Sequence, residues 1–294
     1  MPEFISKLQY KTYENGEYSD EKVRDLQETI ELINNFPWAI EQYAHLGITG
    51  PSITIQDIEG NYLKMGIYYG GRFSIYYLDF KNHYYENRNI SFEFAQDKVI
   101  EFFAGRIDLQ NFKMQRFGIG LKKYFITSNF EYRIKIWKLL LLNIFWETYF
   151  VGTLVLGGGI LFNNPFKTSM MFILVPALFF GWILGNVFLS LYRRRNQYLR
   201  ISRGNDEFFF GDDSNEIRAY NKTDIDKILN YVNKSSRNPN LIEIYEVVFK
   251  NGANITFTNV LISNSQLSSK FSNKWKLSMT RIEKNFFNLM KMMP

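Results

Sequence analysis

Two long apolar runs constrain this chain more than any other feature. Residues 139–162 and 169–192 are each 24 residues long, and Glu147 is the only charged side chain in either. As α-helices rising ~1.5 Å per residue, each is roughly 36 Å long, enough to cross a ~30 Å hydrocarbon layer. The sequence therefore predicts a transmembrane hairpin over 139–192, although the mean hydropathy of the whole chain is only −0.22. The connection Asn163–Thr168 carries one cation, Lys167. Arg133, Lys135 and Lys138 precede the first run, and Arg193, Arg194, Arg195, Arg200 and Arg203 follow the second. By the positive-inside rule both termini then lie in the cytoplasm. The first 20 residues have no apolar signal-peptide core, so the first run is the expected insertion signal.

Charge divides the rest of the chain. Residues 1–110 hold 10 Lys/Arg against 17 Asp/Glu, whereas residues 111–138 hold 7 against 1 and residues 193–294 hold 17 against 10. Lys135, Lys138, Arg193, Arg194 and Arg195 are candidates for lipid-headgroup contacts, since anionic membranes attract juxtamembrane cations. Nucleic acid is not an expected partner, because the outer module is acidic rather than basic. With no Cys and only His45 and His83, thiolate chemistry and His-rich metal sites are excluded. Metal-protease, Walker-loop and nucleophile-elbow motifs are absent as well. No cofactor and no catalytic residues are expected, and the chain is read as a non-enzyme.

Residues 1–110 read as an α+β partner-binding domain. Val23, Leu26, Ile30 and Ile33 recur at helical spacing within Asp20–Leu46, and Pro37 should break that helix. A meander follows: strands at Ser52–Ile58, Tyr62–Tyr69 and Arg72–Phe80, with a fourth at Ile90–Phe94 and a helix at Gln96–Ala104. Gly70-Gly71 is a hairpin signal, since both positions tolerate positive φ. Tyr68, Tyr69, Arg72, Tyr76 and Tyr77 sit together on that hairpin, and Tyr and Arg are the residue types enriched at binding hot spots. Half-exposed tyrosines that merely favour strands are the alternative. Residues 111–138 form a basic connector, expected to lie on the membrane surface.

Within the apolar runs, Asn143, Glu147 and Asn186 fall at one depth, and Asn143 and Glu147 share a helix face. An ionisable residue inside a span is a functional candidate. The alternative places Glu147 beside Trp146 and Tyr149 in the interfacial belt. Ala177, Gly181 and Gly185 offer a small-residue stripe for close helix packing or homo-oligomerisation.

Beyond residue 193 short strands recur: 197–203, 207–210, 216–220, 240–250 and 253–258, with Asn251-Gly252 as a hairpin turn, before an expected helix over 260–292. The run YLRIS…EFFFG…EIRAYNKTDIDKI…IEIYEVVFKNGANITFTNVLIS…LSSKF, with Thr223-Asp224-Ile225 and Lys250-Asn251-Gly252, resembles bacterial pleckstrin-homology-like domains found behind transmembrane hairpins. The resemblance implies a small β-barrel or sandwich capped by one helix, used to bind lipid or protein. The acidic, aromatic amino-terminal module is similar in style to bacterial immunity proteins, which neutralise toxins passed between cells. The expectation is an α+β membrane protein of the bacterial inner membrane: a domain at 1–110, a connector at 111–138, the hairpin at 139–192 and a PH-like domain at 193–294. Its expected function is toxin neutralisation by a membrane-anchored binder. Alternatives are a lipid-responsive envelope regulator or assembly factor, and a small oligomeric channel around Glu147.

Overall fold

A computed structural model of the chain describes residues 2–42, 47–115, 120–135, 188–212, 216–234, 242–271 and 279–292, together with residues 137, 152 and 185. Two units divide it. The first comprises Met1–Phe130 with Ser202–Asn205, and the second comprises Glu131–Ile201 with Asp206–Pro294.

The first unit is built on one antiparallel sheet of seven strands. These are β1 (Phe4–Gln9), β2 (Ser19–Arg24), β3 (Ser52–Gln56), β4 (Tyr62–Ile67), β5 (Phe73–Leu78), β6 (Tyr84–Ile90) and β7 (Lys113–Gln115), in the order β2-β1-β3-β4-β5-β6-β7. Alternation along each strand sends Phe4, Leu8, Ile53, Ile55, Leu63, Met65, Phe73 and Ile75 to one face. Helices α1 (Leu26–Asn35) and α3 (Phe92–Phe103) cover that face, with the short α2 (Trp38–Glu41) following α1. Asp25 starts α1 through a capping box with Glu28: Glu28 N donates to Asp25 Oδ1 at 2.8 Å, and Asp25 N donates to Glu28 Oε2 at 3.2 Å. The helix stops at Phe36, whose extended backbone precedes Pro37. Burying Ile33, Val99, Phe102 and Phe103 stabilises the layer by about 1.5–3 kcal/mol each.

The second unit has two four-stranded sheets. One is ordered β11-β10-β9-β8, from β8 (Glu131–Arg133), β9 (Tyr198–Arg200), β10 (Glu207–Gly211) and β11 (Arg218–Asn221). The other is ordered β14-β13-β12-β15, from β12 (Ile225–Asn233), β13 (Ile244–Phe249), β14 (Asn254–Thr258) and β15 (Met279–Lys284). Strand β15 runs parallel to β12, against antiparallel neighbours elsewhere in the two sheets. Both sheets share one core, which includes Leu199, Phe208, Phe210, Ile228, Tyr245, Val247 and Phe257. Helix α4 (Asn264–Lys270) adds Leu267 and helix α5 (Phe286–Lys291) adds Leu289 to it.

Several sequence expectations are corrected here. The α+β membrane class gives way to a predominantly β architecture: three sheets with short helices among the described residues. No helix among those residues is long and apolar enough to cross a membrane, so the structure does not uphold the transmembrane, membrane-protein or multi-pass inner-membrane assignment. Most of 139–162 and 169–192 lies outside the described residues, including Asn143, Glu147 and Asn186, as does Lys138. Ser19–Arg24 is strand β2 and not the start of a helix, because its backbone pairs with β1 from Phe4↔Arg24 to Leu8↔Ser19. The fourth meander strand is Tyr84–Ile90, and α3 already begins at Phe92, capped by Ser91 Oγ. The expected helix over 260–292 is interrupted by β15, held by its ladder to β12.

Candidate protein-binding site

The β4–β5 connection carries three of the five hairpin residues outward. Gly70 and Gly71 take φ of 64° and 74°, which the tight turn requires and a side chain at Cβ would resist. Tyr68 N donates to Arg72 O at 2.7 Å and closes the turn. Tyr69 is 69% exposed and meets the half-buried Tyr68 edge to face, with ring centroids 5.2 Å apart. Arg72 is exposed, and its Nη2 donates to Asn89 O at 3.3 Å. The result is an aromatic pair beside a cation on a short, rigid turn.

Tyr76 and Tyr77 go elsewhere, as the period of two dictates. Tyr77 is half-buried on the helix-covered face, edge-on to Phe102 at 6.2 Å, and burial pushes its phenol up to about 12. Tyr76 is fully buried on the opposite face, stacked on Tyr84 at 6.2 Å. The structure thus brings Tyr68, Tyr69 and Arg72 together on the turn, buries Tyr76 beneath the second sheet face within electrostatic reach of Tyr68, and sends Tyr77 to the other face.

That opposite face is polar and closed, which sequence reasoning missed. Register aligns Lys7, Thr54, Lys64, Tyr76 and Glu86 across five strands, and Gln9, Ser52, Gly66, Ser74 and Arg88 in the next row. Lys64 is fully buried, and its Nζ donates to Gln9 Oε1 at 2.7 Å, Tyr124 O at 2.9 Å and Tyr18 Oη at 3.2 Å. Tyr18 Oη in turn donates to Tyr124 O. Burial, and next the Lys7 charge, hold the Lys64 amine well below the usual lysine range. Lys7 Nζ donates to Thr127 Oγ1 at 3.1 Å and pairs with Glu21 at 3.5 Å. Phe125, with no exposure, plugs the same face against Tyr62 at 5.7 Å. The amine of Lys64 is enclosed and saturated by neutral acceptors, so it offers no nucleophile to a solute.

The expected headgroup cations of the second unit separate too. Lys135 and Arg193 are exposed, Arg195 lies 4.3 Å over the Tyr192 ring, and Arg194 is buried. A cavity of about 590 Å³ in this unit is lined by Glu207, Tyr220, Asp224, Phe249, Lys250 and Asn251. A second, of about 360 Å³ in the first unit, is lined by Lys11, Tyr13, Glu14, Thr49, Pro51 and Arg203. No group of three or more metal-ligating side chains occurs among the described residues.

Comparison with curated proteins and with solved structures gave no match. Residues 131–270, which run from β8 to α4, match the family described as PH domain, so this stretch is PH-like, a class that generally serves to bind proteins or lipids.

Proposed function

We propose that this chain is a non-enzymatic binding protein that recognises a protein partner through the Tyr68–Arg72 turn of its first unit. The observation that carries the reading is the exposure of both Tyr69 and Arg72 on one glycine-fixed turn, with Tyr68 against the Tyr69 ring. Rigid aromatic area beside a guanidinium costs little conformational entropy on binding and suits a hot spot. Residues 1–110 carry a net charge of −7, which favours a basic partner and speeds its encounter more than it tightens the complex. The specific role we propose is that of an immunity protein neutralising a secreted antibacterial toxin. Purification of the tagged chain from its native cells, in parallel with Tyr69→Ala/Arg72→Ala, tests this. A stoichiometric toxin polypeptide lost from the double variant supports it; recovery unchanged by the substitutions removes the turn from the mechanism.

A second reading rests on the PH-like unit, whose class fits a protein or lipid partner. In that reading residues 131–270 act as a lipid-responsive module of a regulator or assembly factor.

A further inference from the structure

A buried carboxylate needs donors, and Glu17, only 5% exposed, finds them 187 residues further along the chain. Gly204 N donates to its Oε1 at 2.9 Å and its Oε2 at 3.0 Å, and Asn205 N donates to Oε1 at 3.0 Å. Arg203 N donates to Glu14 Oε1 at 3.0 Å. Three successive amides thus converge on two carboxylates, in the manner of turn backbones that hold anions. The middle position admits glycine alone, since a Cβ on Gly204 would lie 2.0 Å from Tyr13 Cδ1.

The turn between β1 and β2 that supplies these carboxylates is fixed by its own contacts. Glu14 N donates to Glu17 Oε2 at 2.9 Å, and Glu17 N donates to Glu14 O at 2.9 Å. Gly16, at φ 79°, lies against Ser128, whose N donates to Gly16 O at 2.8 Å. Tyr10 meets the Tyr13 ring edge to face at 5.3 Å. None of these contacts involves residues 202–205, so the turn is formed without them. Ser202–Asn205 is held more lightly. It belongs to the first unit, although β9 before it and β10 after it belong to the second. Among the described residues no strand ladder includes it, since β9 ends at Arg200 and β10 starts at Glu207. On opening, water replaces the amides around Glu17 at modest net cost. Segments held in this way open locally, below the free energy of global unfolding.

We infer that the Tyr13–Glu17 turn is a receptor for a glycine-centred peptide turn, and that Ser202–Asn205 occupies it in cis as an autoinhibitory latch. While the latch is closed, three amides of the segment and two carboxylates of the receptor are masked together. A partner polypeptide that offers successive amides around a glycine must displace it. Selectivity rests on Tyr13, which excludes a side chain at the central position. The inference is independent of the partner proposed for the Tyr68–Arg72 turn.

The test uses the full chain. Amide exchange at residues 203–205 is followed in the parent chain, in Glu17→Gln and Gly204→Ala, and in the control Glu59→Gln, whose side chain is exposed. Exchange at least about tenfold faster in Glu17→Gln and Gly204→Ala, with β4 and β5 still protected, supports the latch. Unchanged exchange, a change matched in Glu59→Gln, or protection lost throughout the first unit overturns it. A labelled peptide of residues 199–208 is then titrated by fluorescence polarisation. Saturable binding to Gly204→Ala, at least about tenfold weaker to the parent chain and absent from Glu17→Gln, supports the receptor, because the parent's own segment competes at high effective concentration. Equal binding to all three, or none to Gly204→Ala, overturns it. Should Gly204→Ala fail to melt cooperatively, exchange in Glu17→Gln decides.

Discussion

Lys7 and Lys64 approach the same ring: their ammonium nitrogens lie 4.6 and 5.4 Å from the centroid of Tyr18. Both amines are held below the ordinary lysine range, each chiefly by burial. Between its depressed folded pKa and its unfolded value of 10.5, Lys64 binds fewer protons folded than unfolded, so stability rises with pH. Its contribution is complete above 10.5 and is lost as pH falls through the folded value. The buried phenols act in the opposite sense. Tyr18, Tyr76 and Tyr84 are raised above 10 by burial, so stability falls once unfolded tyrosine ionises. Urea midpoints should therefore climb from neutral pH toward 10 and decline beyond it. Lys64→Met should flatten the rising limb, whose slope is at most about 1.4 kcal/mol per pH unit for one proton. An unchanged limb in that variant would place the linkage elsewhere.

Phe125, with Leu121 and Tyr124 packed beside it, helps close the second face of the seven-stranded sheet. Phe125→Ala should cost about 3–5 kcal/mol. Hydrogen exchange should accelerate most at β4, β5 and β6, whose Tyr62, Tyr76, Leu78 and Tyr84 it covers. Loss confined to residues 121–128 would show that the plug is not part of the sheet's cooperative unit.

The second unit has its own buried polar knot. Tyr245 Oη donates to Glu243 Oε2 at 2.8 Å, and Asn230 Nδ2 donates to the same oxygen at 3.1 Å. Tyr245→Phe removes a charge-assisted donor from a carboxylate in a residue only 7% exposed. A loss of about 1.5–3 kcal/mol in denaturant unfolding is expected.

The five hairpin residues should split by function. Tyr69→Ala and Arg72→Ala, both exposed, should leave stability within about 0.5 kcal/mol and weaken partner binding. Tyr76→Phe should leave binding intact and be neutral or mildly stabilising, because Tyr76 Oη is buried without a hydrogen bond of ordinary geometry. Binding assays and melting curves on the same three variants separate the two classes.

Local signals were legible wherever one residue decides the backbone. Pro37 ends α1, Gly70-Gly71 turns β4 into β5, and Asn251-Gly252 turns β13 into β14, with Gly252 at φ 83°. Strand β2 was not legible: Ser-Asp-Glu-Lys-Val-Arg has helix-start chemistry, and only its register with β1 makes it a strand. The same holds for Met279–Lys284, whose partner β12 lies about fifty residues earlier in sequence. At the candidate site, the turn carrying Tyr68, Tyr69 and Arg72 followed from spacing, whereas the fate of Tyr76 depended on what covers the second sheet face. Lys64 alternates with Leu63 and Met65 and so reads as a solvent-facing lysine. Nothing local in YLKMGI announces that residues 121–128 close over it.

The PH-like unit is assembled from distant pieces. Strand β8 ends at Arg133 and its partner β9 begins at Tyr198, while Leu289 completes the same core. During synthesis, β8 must therefore wait for more than sixty further residues before its ladder forms, and the core stays open until Leu289 has emerged. At about 5–20 residues per second that interval lasts several seconds or more, a window in which the β8 edge and the apolar residues of β9 and β10 stand exposed to aggregation or to chaperone capture.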